Sequence, residues 1–147
     1  METREVRRIL VTAIGSFAAP AVIRELKKEG CYVVGTDVNP AELLSESTEV
    51  QAFYQLPRCD AREEYLQKLS AVIQREQIDG ILPLTDAELD VLGADTEQLG
   101  GALLLAPSGE LLQRARHKKQ SKEAAEAVFR RAGNERFVTI PTFRMPH

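Results

Sequence analysis

The fold of this 147-residue chain is set by the stretch Ile9-Leu10-Val11-Thr12-Ala13-Ile14-Gly15-Ser16-Phe17-Ala18-Ala19-Pro20. An apolar, β-branched run from Val6 to Thr12 predicts a short strand, and Gly15-Ser16 interrupts it. Apolar residues then recur on one helical face until Gly30, which predicts a helix ending there. The order is therefore strand, tight turn and helix.

A turn of this kind binds a dinucleotide when glycines let its backbone approach the pyrophosphate. Here Gly15 is the single glycine of the turn, and Ala13 stands where the first glycine would be. Alanine permits close packing of the helix, but a methyl group obstructs a pyrophosphate. The stretch therefore predicts the scaffold of a dinucleotide site without NAD or NADP, although a small NAD(P)-binding reductase domain remains an alternative.

Four further apolar runs predict strands, and helical stripes or loops separate them. The runs are Cys31 to Thr36, Ala52 to Leu56, Ile78 to Leu82 and Ala102 to Ala106; the helices run from Arg62 to Arg75, through Leu89 and Leu92, from Pro107, and from Ser121 to Gly133. Such nearly continuous apolar strands are typical of a parallel sheet covered on both faces. The fold class is α/β, a doubly wound, five-stranded, Rossmann-like sheet.

Ligands of a doubly wound sheet lie beyond the carboxyl ends of its strands. The polar or small residues there are the candidate ligand-facing group: Gly15, Ser16, Asp37, Thr85, Asp86 and Glu88. Two structural interpretations compete with this one. Asp37, followed by Asn39-Pro40, is a common turn builder, and Thr85 to Glu88 has the spacing of a helix-capping box. No catalytic nucleophile and no metal site is predicted.

Composition excludes several classes of function. The net charge is −3 and basic residues mostly alternate with acidic ones, so nucleic-acid binding is not expected. A basic run from Arg114 to Lys122 is interpreted as a solvated helix end, with an anion site as the alternative. No apolar run approaches the roughly 20 residues that cross a bilayer. Cys31 and Cys59 form no metal or redox motif, and a reduced cytoplasmic setting is expected.

The order of these motifs resembles the N-terminal (pre-ATP-grasp) domain of ATP-grasp ligases, the group that includes carbamoyl phosphate synthase large chains. The resemblance runs through Ile9-Leu10-Val11-Thr12, then Val34-Gly35-Thr36-Asp37, and is most characteristic in Ile78-Asp79-Gly80-Ile81-Leu82-Pro83 with Thr85-Asp86-Ala87-Glu88-Leu89. It implies a pre-ATP-grasp domain over residues 1–120 and, over 121–147, a linker helix followed by the start of an ATP-grasp domain.

The same resemblance implies which parts of the complete enzyme bind ATP and which partners this domain has. Lys122 matches a family lysine that contacts ATP phosphate, while Ser121 replaces the usual Asp. ATP and magnesium belong to the complete enzyme, and residues 1–147 alone are expected to bind neither tightly and to be inactive. The implied partners are an ATP-grasp domain, fused or separate, and a small carboxylate substrate; a homodimer is allowed. A non-catalytic subunit that docks through an apolar patch at Phe137 to Phe143 is a further alternative.

Overall fold

The computed structural model describes residues 7–107, 111 and 117–133 and contains a five-stranded sheet in which all neighbouring strands are parallel. The strand order is β3-β2-β1-β4-β5. The strands are β1 (Arg8–Val11), β2 (Tyr32–Asp37), β3 (Ala52–Gln55), β4 (Gly80–Leu82) and β5 (Leu103–Leu104). The predicted α/β class with a parallel sheet is confirmed.

Three α-helices accompany the sheet: α1 (Ala19–Lys28), α2 (Arg62–Glu76) and α3 (Asp86–Ala94). Short 3-10 helices lie at Ala41–Leu43, Ser45–Thr48 and Thr96–Leu99. The chain divides into two compact units, Met1–Ala106 and Pro107–His147. The sheet and α1 to α3 lie in the first unit, whereas α4 (Lys118–Arg131) belongs to the second.

Two apolar clusters cover the two faces of the sheet. Ile9 and Val11 of β1 belong to the cluster that includes Ile23 of α1. Leu10, between them, belongs to a larger cluster built mainly by the apolar side of α2. Because successive side chains of a strand point to opposite faces, this division places helices on both sides of the sheet. The strands are apolar on both faces for that reason, as their sequences predict.

The start of β4 differs from the sequence prediction, which began this strand at Ile78. Gln77 takes a left-handed conformation with φ 50°, and the Ile78 N–H donates to Ile73 O at 3.0 Å. This bond closes the end of α2 in the manner of a Schellman cap, so Ile78 belongs to the helix end. The sequence gives little sign of it, because glycine or asparagine usually occupies the left-handed position.

The second unit also differs from expectation in detail. Helix α4 begins at Lys118 and not at Ser121, and of its predicted apolar stripe Ala125 and Phe129 are half-buried while Ala124 and Val128 are exposed. Most of the helix predicted after Pro107, and the strand and apolar patch predicted between Phe137 and Arg144, lie outside the described residues. The predicted domain boundary after residue 120 remains a prediction.

The sheet is packed tightly at Gly35, where a Cβ would lie 2.8 Å from Ile14 Cδ1 and 3.2 Å from Val50 Cγ2. Gly35→Ala should therefore destabilise the protein by about 1–3 kcal/mol, because the new methyl group overpacks the core. Gly93, near the end of α3, has no atom within 4 Å of its would-be Cβ. Gly93→Ala is the matched control and should stabilise the helix by up to about 1 kcal/mol. Urea unfolding midpoints measure both; equal midpoints would contradict the packing described.

Candidate functional site

The crevice of this sheet lies between the carboxyl ends of β1 and β4. From β1 the chain builds outward through β2 to β3, and it then returns to the other side of β1 to form β4. Loops that leave neighbouring strands in opposite directions open a gap at such a switch point, where ligands of doubly wound sheets bind. The two walls of the gap are the loop from Thr12 to Ala18 and the segment from Pro83 to Thr85.

The loop after β1 turns sharply at Ala13, whose φ is 50°. This left-handed conformation favours glycine, and Ala13 stands where a dinucleotide site has its first glycine. Gly15 is needed for a different reason, namely space: a Cβ there would lie 2.7 Å from Leu44 Cδ2 and 3.1 Å from Asp37 Oδ2. The backbone thus keeps the shape of a dinucleotide turn, with alanine at a strained position.

The Asp37 carboxylate holds this loop from the side of β2. Asp37 is only 6% exposed, and its Oδ2 accepts a hydrogen bond from the Gly15 N–H at 2.8 Å. Its Oδ1 accepts from the backbone N–H and the side-chain amide of Asn39, both at 2.9 Å. The turn-building bonds predicted for Asp37 are therefore present, and they engage both of its oxygens. A ligand-facing role for Asp37 stays a prediction.

The Glu88 carboxylate holds the loop from the opposite side. Glu88 is 9% exposed, and its Oε2 accepts from the hydroxyl groups of Thr12 at 2.9 Å and Thr85 at 2.7 Å. Its Oε1 accepts from the Tyr65 hydroxyl at 3.1 Å. Thr85 also caps α3, because its hydroxyl accepts from the Glu88 N–H at 3.4 Å. The predicted cap is thus present, but the Glu88 side chain enters a buried network.

The remaining predicted site residues are more accessible. Gly15 and Asp86 are exposed, and Ser16 and Thr85 are half-buried. The Ser16 hydroxyl oxygen itself is buried and makes no hydrogen bond within the described part of the chain. Phe17, which the sequence argument did not single out, is fully exposed at the tip of the loop. A ligand entering the crevice would meet these residues before the two buried carboxylates.

Sequence reasoning missed Thr12 and Tyr65 as members of this site. Thr12 is fully buried at the end of an apolar strand, and its backbone N–H donates to Leu82 O at 3.2 Å. Tyr65 precedes Leu69 by four residues, so helical spacing already placed it on the buried face of α2. A polar group at the end of a buried strand and a tyrosine on a buried face both need a hydrogen-bond partner. Glu88 is that partner for each.

Burial raises the pKa of the Tyr65 hydroxyl, and the charge of the neighbouring Glu88 adds to the effect. Burial also raises the pKa of the Cys59 thiol, again with a smaller contribution from Glu88. Cys31 and Cys59 are both free, half-buried thiols. Both shifts move ionisation of these groups further into the alkaline range.

The structure places Lys122 in α4, where its ammonium lies 3.8 Å from Glu126 Oε1. Lys122 and the crevice therefore belong to separate compact units of the chain. Within residues 7–107 and 117–133, no three His, Cys, Asp or Glu side chains form a group that could hold a metal ion. None of the described helices combines the length and apolarity needed to cross a membrane.

Strand order, crevice and degenerate turn together define a Rossmann-like domain of the pre-ATP-grasp class. The chain belongs to the PylC-like N-terminal domain family, whose model matches residues 9–102. A sequence search of curated proteins finds no match.

Solved structures share the fold at low sequence identity. An L-amino acid ligase from Bacillus licheniformis matches with a TM-score of 0.61 and 14% identity, over 89% of this chain and 31% of the ligase chain. A biotin carboxylase from Campylobacter jejuni, in a β,γ-ATP complex, matches with a TM-score of 0.62 and 17% identity, over 88% of this chain and 28% of that one. The biotin carboxylase subunit of a pyruvate carboxylase matches with a TM-score of 0.61 and 19% identity, over 88% and 28%. The chain thus spans less than a third of each of these relatives.

Ala13 and Gly15 provide a matched test of the loop. Gly15→Ala should destabilise the protein by about 1–3 kcal/mol, because its methyl group collides with Leu44 and Asp37. Ala13→Gly should leave stability unchanged or raise it by up to about 1 kcal/mol, because the left-handed strain of roughly 1–2 kcal/mol outweighs the added freedom of the unfolded chain. Urea unfolding measures both free energies. A costly Ala13→Gly together with a harmless Gly15→Ala would contradict this loop geometry.

Tyr65 makes stability depend on pH in the alkaline range. Below about pH 10 its hydroxyl is neutral in both the folded and the unfolded state. Above that pH it ionises first in the unfolded state, because its pKa is raised in the fold, so the free energy of unfolding falls as pH rises. One such group contributes up to about 1.4 kcal/mol per pH unit.

Tyr65→Phe should therefore flatten the fall in stability above pH 10, measured as unfolding free energy against pH. It should not abolish the fall, because a hydrogen bond to Glu76, with burial second, also raises the pKa of Tyr54. Tyr32→Phe is the control variant for a tyrosine outside the Glu88 network. An unchanged alkaline slope in Tyr65→Phe would show that Tyr65 ionises equally easily in both states.

Proposed function

We propose that this chain is the N-terminal, substrate-side domain of an ATP-dependent carboxylate–amine ligase of the ATP-grasp type. In such a ligase ATP phosphorylates a carboxylate and an amine displaces the phosphate. The crevice between β1 and β4 would line the substrate side, and an ATP-grasp domain, fused or on a separate chain, would supply the nucleotide site. The carrying observation is the Asp37–Gly15 hydrogen bond, which fills the phosphate-facing side of the first turn with a carboxylate of the protein.

The assignment of the nucleotide site to another domain rests on the charges of the crevice. The segments 12–17, 37–40 and 83–88 contain three carboxylates, Asp37, Asp86 and Glu88, and neither Lys, Arg nor His. Triphosphate binding and phosphoryl transfer require cationic groups or magnesium to neutralise developing charge. The crevice therefore lacks the cationic groups that bind a triphosphate. Lys122, matched through the family resemblance, is proposed as the ATP-phosphate contact from the second unit.

The groups of the crevice other than Asp37 and Glu88 have separate proposed roles. The Ser16 hydroxyl, which is buried and has no hydrogen-bond partner within the described part of the chain, would bind a polar group of the substrate. The Thr85 hydroxyl, already bonded to Glu88, would offer only its remaining acceptor position, and Asp86, exposed in the first turn of α3, would face the solvent side of the substrate. Asp37 and Glu88 would hold the walls in place. No residue of this chain is proposed to take part in bond making or breaking. Residues 1–147 alone should therefore lack ligase activity.

Calorimetry with residues 1–147 and ATP-magnesium tests the first part of the proposal. No saturable heat is expected at nucleotide concentrations up to the millimolar range. Tight binding of ATP, or ADP release by this chain alone, would overturn the assignment of the nucleotide site to another domain. The same titration on Lys122→Ala separates weak contact through Lys122 from binding elsewhere.

Steady-state kinetics of the ligase that contains this domain tests the second part. Ser16→Ala should raise the KM for the substrate about tenfold, the cost of one hydrogen bond of roughly 1.4 kcal/mol, and leave the KM for ATP unchanged. Glu63→Gln, on the exposed side of α2, is the control and should alter neither constant. A rise in the KM for ATP alone would place the nucleotide in the crevice and contradict the proposal.

A further inference from the structure

We infer that Glu88 is a positioning residue, whose Oε2 joins the two walls of the crevice. The interpretation of the crevice as a substrate site rests on the proposed function. The connection of the two walls through Glu88, called the bridge below, does not. Thr12 directly follows β1 on one wall, and Thr85 ends the segment after β4 on the other. Both hydroxyls donate to the same oxygen, at 2.9 and 2.7 Å. In addition to the backbone bond from the Thr12 N–H to Leu82 O, one shared carboxylate oxygen therefore joins the side chains of the two walls.

Helix α2 also fixes the position of the Glu88 carboxylate. The Tyr65 hydroxyl binds the other oxygen, Oε1, at 3.1 Å, and Tyr65 is 1% exposed. No Lys, Arg or His forms an ion pair with Glu88 among the residues that the structure describes; its partners are three hydroxyl groups. A buried carboxylate without its donors is costly, so the three donors and Glu88 hold each other in place.

This arrangement differs from an ordinary helix cap. In a capping box the glutamate side chain returns to the backbone N–H of the capping residue and stays at the helix end. Here it leaves the helix end and binds a strand that is 76 residues away in sequence. A cap alone would stabilise α3, whereas this bridge also fixes Thr12, the residue that precedes the strained Ala13. A displacement of the Glu88 side chain should therefore change the conformation of the loop from Gly15 to Phe17.

The chemistry of glutamine supplies a rescue variant. In Glu88→Gln the amide oxygen can take the place of Oε2 and accept from both threonines, while the amide nitrogen donates to the Tyr65 oxygen. Glu88→Ala removes every one of these bonds. We expect Glu88→Gln to keep the amide NMR resonances of Gly15, Ser16 and Phe17 close to those of the unaltered chain. Glu88→Ala should shift all three.

Tyr65→Phe is the matched control for a purely structural effect. It removes one hydrogen bond to Glu88 but leaves Oε2 and both threonines in place. It should lower stability and shift the Gly15 to Phe17 resonances much less than Glu88→Ala does, because both threonine hydrogen bonds to Oε2 remain. If Glu88→Ala lowers stability without moving those resonances, Glu88 is only a structural residue and the inference is overturned.

A double-mutant cycle tests the shared oxygen directly and still applies if Glu88→Ala does not fold. Thr12→Val and Thr85→Val each leave Oε2 one donor, and the double variant leaves it none. Each variant raises the unfolding equilibrium constant by some factor. The factor for the double variant should exceed the product of the factors for the two single variants by more than about threefold, whereas for independent sites the two values agree within about twofold. If the factor for the double variant equals the product of the two single factors, the two threonines do not share the Glu88 oxygen and the proposed bridge is contradicted. These measurements need no nucleotide or substrate, so their outcome is separate from that of the ligase assays.

Discussion

The hydrogen bond between the Gly15 N–H and the Asp37 carboxylate, 2.8 Å long, is the constraint on which the functional edge of this domain depends. In a dinucleotide-binding sheet, the backbone of this turn approaches a phosphate, and an acidic residue after the second strand binds a ribose. Here the corresponding carboxylate turns inward and takes the backbone donor for itself. Because Asp37 is buried, losing that donor would leave a poorly solvated charge. The Gly15 donor is thereby already engaged by the protein's own side chain.

Asp37 and Glu88 act on the same loop from opposite faces of the sheet. Asp37 binds it through a backbone N–H beside the α1 cluster, and Glu88 binds it through the Thr12 hydroxyl beside the α2 cluster. A loop anchored on both sides is preorganised, which lowers the entropy that a ligand must lose on binding. The domain keeps the parallel sheet of the nucleotide-binding folds, and its structural relatives share that fold.

Much of this could be predicted from the sequence, because the strands are short, apolar and separated by clear helical stripes. The parallel sheet, the closing glycine at Gly30, and the Thr85 cap each rest on local patterns that the structure confirms. The single glycine of the first turn predicts an altered site, and this remains a prediction. The Gln77 helix end was missed because its left-handed residue is not glycine, and β5 is shorter than its five-residue apolar run predicted.

The Glu88 network could not be predicted, because it joins residues from β1, α2 and α3 that no local pattern connects. The capping-box spacing of Thr85 and Glu88 even indicated a different hydrogen bond for the glutamate. A buried carboxylate can be satisfied equally well by a backbone N–H, a hydroxyl or a cation, and only the packing of α2 beneath the sheet selects the hydroxyls. The positions of the ligand-facing groups depend on the same packing.

The most direct test of this account is an NMR titration of the chain with NADPH, following the amide resonances of Gly15, Ser16 and Phe17. The account predicts that these resonances stay in place at millimolar NADPH, because Asp37 already holds the Gly15 donor and alanines replace the other glycines. A saturable shift centred on these three residues, with the fold intact, would contradict it.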